Sequence, residues 1–285
     1  MNDVLVKATG HRIQRVPRPG RRRRAPSARR PAPTAAAPGD RLVASPVFIL
    51  CSIRSGSTLL RVLLNSHPEI HAPHELHLRF LSVRARGPYA KAALHELGLE
   101  QQGLRHLMWD RLLHRELTAS GKRIIVDKTP NNVFIADQLR ACWPEARFVF
   151  LLRHPAAIAR SRQKLRPRDS RNVERVLRYC EAVEAARRAY DGYELRYEEL
   201  TAEPERVLRG LCGFLGVAWD PRMLEYGAHD HGPYRAGLGD YADKIGRGRV
   251  QPADPPPAET PPALREVSAA WGYAAQAETT PAATT

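Results

Sequence analysis

The segment Phe48–Leu64, FILCSIRSGSTLLRVLL, carries residue types that can hold an anion. An apolar run of strand length enters a short polar loop, and a helical pattern follows. Gly56 lets the backbone turn and approach a ligand closely. The amides of Gly56, Ser57, Thr58 and Leu59 would then stand at a helix N-terminus, where free N–H groups and the helix dipole favour phosphate or sulfate. Ser57 and Thr58 add hydroxyl donors, and Arg54 adds a fixed charge. An ordinary strand-to-helix turn with a serine cap would satisfy the same pattern. The loop is not the lysine-bearing loop of nucleoside triphosphatases. That motif needs Gly at 51 and Lys at 57, where this chain has Cys51 and Ser57.

A second segment, Phe148–Leu165, reads FVFLLRHPAAIARSRQKL. A strand delivers Arg153 at its C-terminal end, and Pro155 suits the first turn of a following helix. In open α/β sheets ligands bind outside the carboxyl ends of the strands, so Arg153 and Ser161 are placed to face one phosphate. Taken alone, a strand-end Arg and a helical Ser are unremarkable.

The two segments together, in this order, resemble the PAPS-dependent sulfotransferases (PAPS is 3′-phosphoadenosine 5′-phosphosulfate). The family's phosphosulfate loop reads approximately P-[RK]-S-G-T-T-x-L, and this chain has I-R-S-G-S-T-L-L over Ile53–Leu60. Ile53 replaces the usual Pro, Cys51 a frequent Gly, and Ser57 a Thr whose hydroxyl is kept. The family's 3′-phosphate motif is a strand ending in Arg with a Ser eight residues on, the spacing of Arg153 and Ser161. NSHPEI, DKTP, RYEEL and FLGV, at Asn65, Asp127, Arg196 and Phe214, are similar to segments of the bacterial and tyrosylprotein-type branch.

The resemblance implies PAPS as sulfuryl donor and a hydroxyl or amine of an unidentified acceptor. It implies nucleotide contacts from Arg54, Ser55, Gly56, Ser57, Thr58, Leu59, Arg153 and Ser161, joined by Tyr197 of RYEEL and Arg247 of the basic, glycine-containing DKIGRGRV. Lys128 of DKTP would steady the bridging or sulfuryl oxygens, with a surface Lys paired to Asp127 as the bland alternative. Glu75, 21 residues after Arg54, stands where the tyrosylprotein-type enzymes carry their general base. His74 is the rival, because cytosolic sulfotransferases use a His. Arg54, Lys128 and Glu75 are thus the expected catalytic set. His71, His74 and His77 could share one helical face and invite a metal; the implied chemistry needs none, and none is expected.

The elements that must position these residues alternate between strand and helix. Strands are expected at Val47–Cys51, Arg123–Val126, Arg147–Leu152 and Tyr193–Tyr197. Helical patterns cover Leu59–Leu64, Tyr89–Thr118, Asn131–Cys142, Ser170–Tyr190, Glu198–Leu215 with Gly216 as its end, and Ala263–Ala275. Residues 252–262 are Pro-rich and extended. The expected fold class is α/β: a P-loop-like, mostly parallel sheet flanked by helices.

The 285 residues carry a net charge of +15, much of it at the N-terminus. Residues 1–41 hold eleven Lys and Arg against Asp3 and Asp40 and are rich in Pro and Ala. Such a segment buries too little apolar surface to offset its ordering entropy, so it is expected to be disordered. One sulfotransferase domain is expected over 42–275, with a short tail at 276–285. No dedicated nucleic-acid partner is expected, because no folded nucleic-acid motif accompanies the arginine run. A tail-borne nucleic-acid binder, a small-molecule kinase and an inactive binder of sulfated ligands are the rival readings. No apolar stretch approaches the ~20 residues of a transmembrane helix, no signal peptide is evident, and no CxxC pair joins Cys51, Cys142, Cys180 and Cys212. A cytoplasmic setting is expected.

Overall fold

The computed structural model describes residues 41–232 and 243–273. The expected disordered tail, except Arg41, and the expected 276–285 tail lie outside the described residues. All that is described falls in one unit of the chain.

Five parallel strands form the sheet: β1 (Val47–Cys51), β2 (Ile70–His71), β3 (Ile124–Asp127), β4 (Arg147–Leu152) and β5 (Gly192–Arg196). Their order is β2-β3-β1-β4-β5, which puts the FILC and RFVFLL runs at the centre. β1 pairs with β4 in register from Val47 opposite Arg147 to Cys51 opposite Leu151. The alternation along these runs feeds two cores. Phe48, Leu50, Phe148 and Phe150 pack with Trp109, Trp143 and Trp271 on one face. Val47, Ile49, Val149 and Leu151 pack with Leu60, Leu63, Leu208 and Leu211 on the other. Burial on both faces is why the sequence shows continuous apolar runs rather than alternating strands.

The described α-helices are α1 (Ser57–Asn65), α2 (Pro88–Glu96), α3 (Gln101–Ser120), α4 (Ala136–Cys142), α5 (Pro155–Leu165), α6 (Asn172–Ala189), α7 (Tyr197–Ala202), α8 (Pro204–Leu215), α9 (Asp243–Gly246) and α10 (Arg265–Ala270). Several expected helices are divided. The 89–118 pattern breaks at Gly98, whose φ of +70° ends α2 and starts a new helix. The Asn131–Cys142 helix begins as a 3₁₀ segment from Pro130 to Ile135, so Asn131 is not its cap. The 198–215 pattern splits at Glu203, because Pro204 disfavours helical backbone in the residue before it. The closing helix is only Arg265–Ala270, preceded by a 3₁₀ turn. Among the described residues no helix is long and apolar enough to cross a membrane.

The described chain is pinned where it enters the fold. The buried Asp110 carboxylate accepts from the amides of Leu42 and Val43 and from Trp143 Nε1. Arg41 Nε donates to the Cys142 carbonyl at 2.7 Å. At the other end, Trp271 Nε1 donates to Glu184 at 3.1 Å and holds α10 against α6.

Candidate active site

Each of the five strands leads, within four residues, to a residue singled out by sequence. In sheet order these are Glu75 after β2, Lys128 after β3, Arg54 after β1, Arg153 after β4 and Tyr197 after β5. A parallel sheet collects its carboxyl ends on one edge, and residues remote in sequence become neighbours there.

The loop after β1 turns through two left-handed residues, Arg54 at φ +64° and Gly56 at φ +87°. Only glycine is tolerated at 56, since a Cβ there would lie 2.1 Å from Tyr197 Cδ2. Arg54 has a Cβ in that region, a strain of about 1 kcal/mol or more that its surroundings must hold in place. They do so twice. Arg153 donates to the Arg54 carbonyl at 2.8 Å, and Arg54 Nε donates to Ser161 Oγ at 3.1 Å. Ser55 Oγ closes the loop on the Ser52 carbonyl at 2.8 Å. Ser57, Thr58 and Leu59 form the first turn of α1, and no side chain caps that helix.

Arg153 and Ser161, expected to share one phosphate, both reach the loop through Arg54. The two segments expected to bind anions are therefore contiguous. Arg153 lies 4.4 Å from the centre of the Tyr197 ring, and its Nε is buried without a hydrogen-bond partner. Burial lowers the pKa of this guanidinium, opposed by Tyr197 and Glu198, yet an arginine stays charged at any physiological pH. That Nε remains a donor with no partner among the described residues.

On the other side, Lys128 Nζ donates to Glu75 Oε1, and the ammonium side chain is only 1% exposed. Its partner is Glu75 and not Asp127, so the surface pairing weighed from sequence is not found. His77 Nε2 stands 3.4 Å from Glu75 Oε2. Asp127 instead organises the surrounding chain. It accepts from Asn132 Nδ2 at 2.6 Å, from Thr129 Oγ1 at 3.0 Å and from the Leu76 amide at 3.4 Å. Burial pushes its carboxyl pKa up while these three bonds and Lys128 oppose the rise. Thr129 Oγ1 also accepts from the His77 amide at 3.3 Å. The β3 end thus clamps the backbone that follows Glu75.

The histidines share no helix. His71 is the last residue of β2, His74 sits in the following loop, and His77 is left-handed at φ +51°. Among the described residues no group of three or more His, Cys, Asp or Glu is arranged to hold a metal. The ring of His74 packs against Gly232, where an added Cβ would come within 3.0 Å of Nε2. Arg247 is exposed, and its side chain meets Gln251 at 3.5 Å; none of its described contacts is with the loop or Arg153.

Sequence reasoning missed a second tier behind Arg153. Glu198 accepts from the His154 amide at 3.0 Å and from the Tyr273 hydroxyl at 2.7 Å, and Arg196 lies 4.8 Å from the Tyr273 ring centre. Burial, then Glu198, raises the Tyr273 pKa. Asp254 of the Pro-rich segment acts electrostatically on Arg153, and Arg160 donates to the Pro255 carbonyl. RYEEL contained Glu198, but nothing local in the sequence joins it to a tyrosine 75 residues away. Lys122 was missed as well: its Nζ donates to the carbonyls of Asn65, His67 and Ile70 at 2.7–3.0 Å, clasping the turn between α1 and β2.

The fold is shared with proteins of one class. The family model described as the sulfotransferase family matches residues 46–221, and the chain belongs to that family. Over 132 residues it is 37% identical to nodulation protein NoeE of Sinorhizobium fredii, a match covering 41% of this chain and 32% of that protein. It is 26% identical to protein-tyrosine sulfotransferase 1 of Danio rerio over 202 residues, 63% of this chain and 55% of the relative. The matches thus span about a third to a half of these relatives. The fold is that of the sulfotransferase domain from the Synechococcus olefin synthase, with a TM-score of 0.58 at 24% identity over 81% of this chain and 96% of that one.

Proposed function

We propose that the chain transfers the sulfuryl group of PAPS to a hydroxyl or amine of its acceptor. The observation that carries this reading is the order along the sheet edge, with the Glu75–Lys128 pair next to the loop that Arg153 and Ser161 brace through Arg54. The residues present fit the donor. The uncapped first turn of α1 and the loop amides would hold the 5′-phosphosulfate, and the idle Nε of Arg153 would meet the 3′-phosphate. When bound, PAPS supplies an activated sulfuryl group and a stable leaving nucleotide.

The protein's share is then positioning and charge. Arg54 and the α1 amides hold anionic oxygens. Lys128, buried and compact, faces the side where negative charge grows. Glu75 takes the acceptor proton, and the backbone after it is fixed by Asp127 and Thr129 so that the carboxylate stays on station. Tyr197, filling the space a Cβ at Gly56 would need, backs the loop. Four free, buried cysteines support a reducing, cytoplasmic setting for this reaction.

The test is incubation of the purified chain with labelled PAPS and an acceptor panel, alongside labelled ATP. Label from PAPS moves to an acceptor and label from ATP does not. Transfer from ATP alone would replace this reading with a kinase.

A further inference from the structure

A cavity of about 490 Å³ opens beside Glu75, between the end of β2, the C-terminal part of α3 and the Asp230–Gly232 segment. That volume is in the range of sites for small organic ligands. Its wall has one chemical bias. The donors of Lys122, Asn65, His231 and Ser120 are committed within the protein, whereas the carboxylates of Glu116 and Asp230 keep acceptor capacity.

Lys122 would be the natural anchor for an anionic ligand, but its three N–H bonds serve three backbone carbonyls. Asn65 Nδ2 donates toward His231 Nδ1 at 3.1 Å and the Asp230 carbonyl at 3.4 Å, while its Oδ1 takes the Ala72 amide. With Nδ1 accepting, His231 donates through Nε2 to the Tyr226 carbonyl at 2.7 Å, so both ring nitrogens are used. Ser120 Oγ donates to the Leu117 carbonyl. Arg61, under the floor, donates to the Ala72 carbonyl.

The carboxylates keep capacity. Asp230 takes the Gly232 amide on Oδ1 at 2.8 Å. Glu116 takes the exposed Arg115 on Oε1, while its Oε2 stands 3.9 Å from His71, beyond hydrogen-bond reach. Each carboxylate accepts about four hydrogen bonds when ionised, so one oxygen of each can serve a ligand. Burial and Lys122 lower the pKa of His71 against the pull of Glu116, and its ring adds a donor to the wall.

A wall of this kind suits a ligand rich in O–H and N–H donors and repels an anionic one. An aromatic phenol would instead need a continuous apolar slot, and here Ala72, Pro73, Leu76 and the rings of His71, His74 and His231 are interleaved with Glu75, Glu116, Lys122 and Asp230. We infer that the acceptor is a compact polyhydroxylated molecule of the saccharide class, gripped by Glu116 and Asp230 while one hydroxyl faces Glu75. The inference rests on the reading of Glu75 as the acceptor-side base.

Ligand-observed NMR on the full chain with PAP present tests it, using glucosamine, maltose, 4-nitrophenol and an Asp-flanked tyrosine peptide as probes. The saccharides bind, and the phenol and peptide do not. Glu116→Gln and Asp230→Asn each weaken saccharide binding about tenfold, the loss of one charged hydrogen bond, and leave PAP affinity and melting temperature unchanged. Absence of saccharide binding overturns the inference. So does binding of the phenol or peptide in its place, or saccharide binding that neither substitution weakens. Saccharide binding without PAP binding would instead sink the PAPS reading and leave the pocket assignment standing.

Discussion

The two halves of the sheet edge are built differently. The half around β1, β4 and β5 stands on strands of five or six residues paired along their whole length. The half around β2 stands on a two-residue strand, and side chains do the work that a ladder does elsewhere. Lys122 clasps the turn into β2, and Asp127 and Thr129 hold the backbone after it. The first half is rigid by backbone, which suits the constant nucleotide proposed to bind there. The second is rigid only where particular residues make it so, which leaves its cavity wall free to change with the acceptor.

The largest expected effect breaks the comparison on the acceptor side. Glu75→Gln keeps the shape and removes the proton acceptor, so turnover falls about 10²–10⁴-fold while PAP binding, measured by calorimetry, barely changes. His74→Gln costs less. A dead His74→Gln beside an active Glu75→Gln would move the base to the histidine packed against Gly232.

A smaller effect sharpens the comparison on the nucleotide side. Arg153→Ala removes the buried cation and its hold on the Arg54 carbonyl. One charge-assisted phosphate contact is worth about 1.5–3 kcal/mol. PAP affinity therefore drops at least tenfold, while adenosine 5′-phosphosulfate loses much less. Equal losses for the two ligands would take Arg153 away from the 3′-phosphate.

The same contrast governs what could be seen in the sequence. Val47–Cys51 and Arg147–Leu152 match their strands residue for residue, because a strand buried on both faces leaves a continuous apolar run. Arg54, Gly56 and Arg153 follow such strands closely, so their placement came with them, whereas Tyr197, expected to end a strand, follows the more exposed β5 and opens α7. β2 left no trace, since two residues show no period and its pairing partner Ile124 lies 54 positions away. The histidines near it consequently looked helical. Gly98 and Pro204 interrupt patterns that periodicity alone runs together. The Lys128–Glu75 pair needed the fold, because nothing local separates it from a pairing of Lys128 with Asp127.

The smallest expected effect concerns acid. Burial lowers the pKa of His71, His154 and His231, and burial with Arg41 and Arg105 lowers that of His106 to about 4. A folded-state pKa below the unfolded value near 6.5 means that the unfolded chain binds more protons between them. Stability is therefore complete above about pH 6.5 and declines as pH falls toward 4. Melting temperatures between pH 7.5 and 4.5 follow this decline, and His106→Asn makes it shallower. The same slope in His106→Asn would assign the acid sensitivity to the other three.

Lys122 has a consequence for redesign. One side chain fastens the strand-poor edge at three carbonyls, and the β3 end fastens it again at two amides. Between these two rivets the segment from Ala72 to Glu75 contributes to the cavity with little ladder of its own. Its residues ahead of Glu75 can be exchanged as a cassette, letting a library explore new acceptors while Glu75 and the proposed nucleotide half are inherited unchanged.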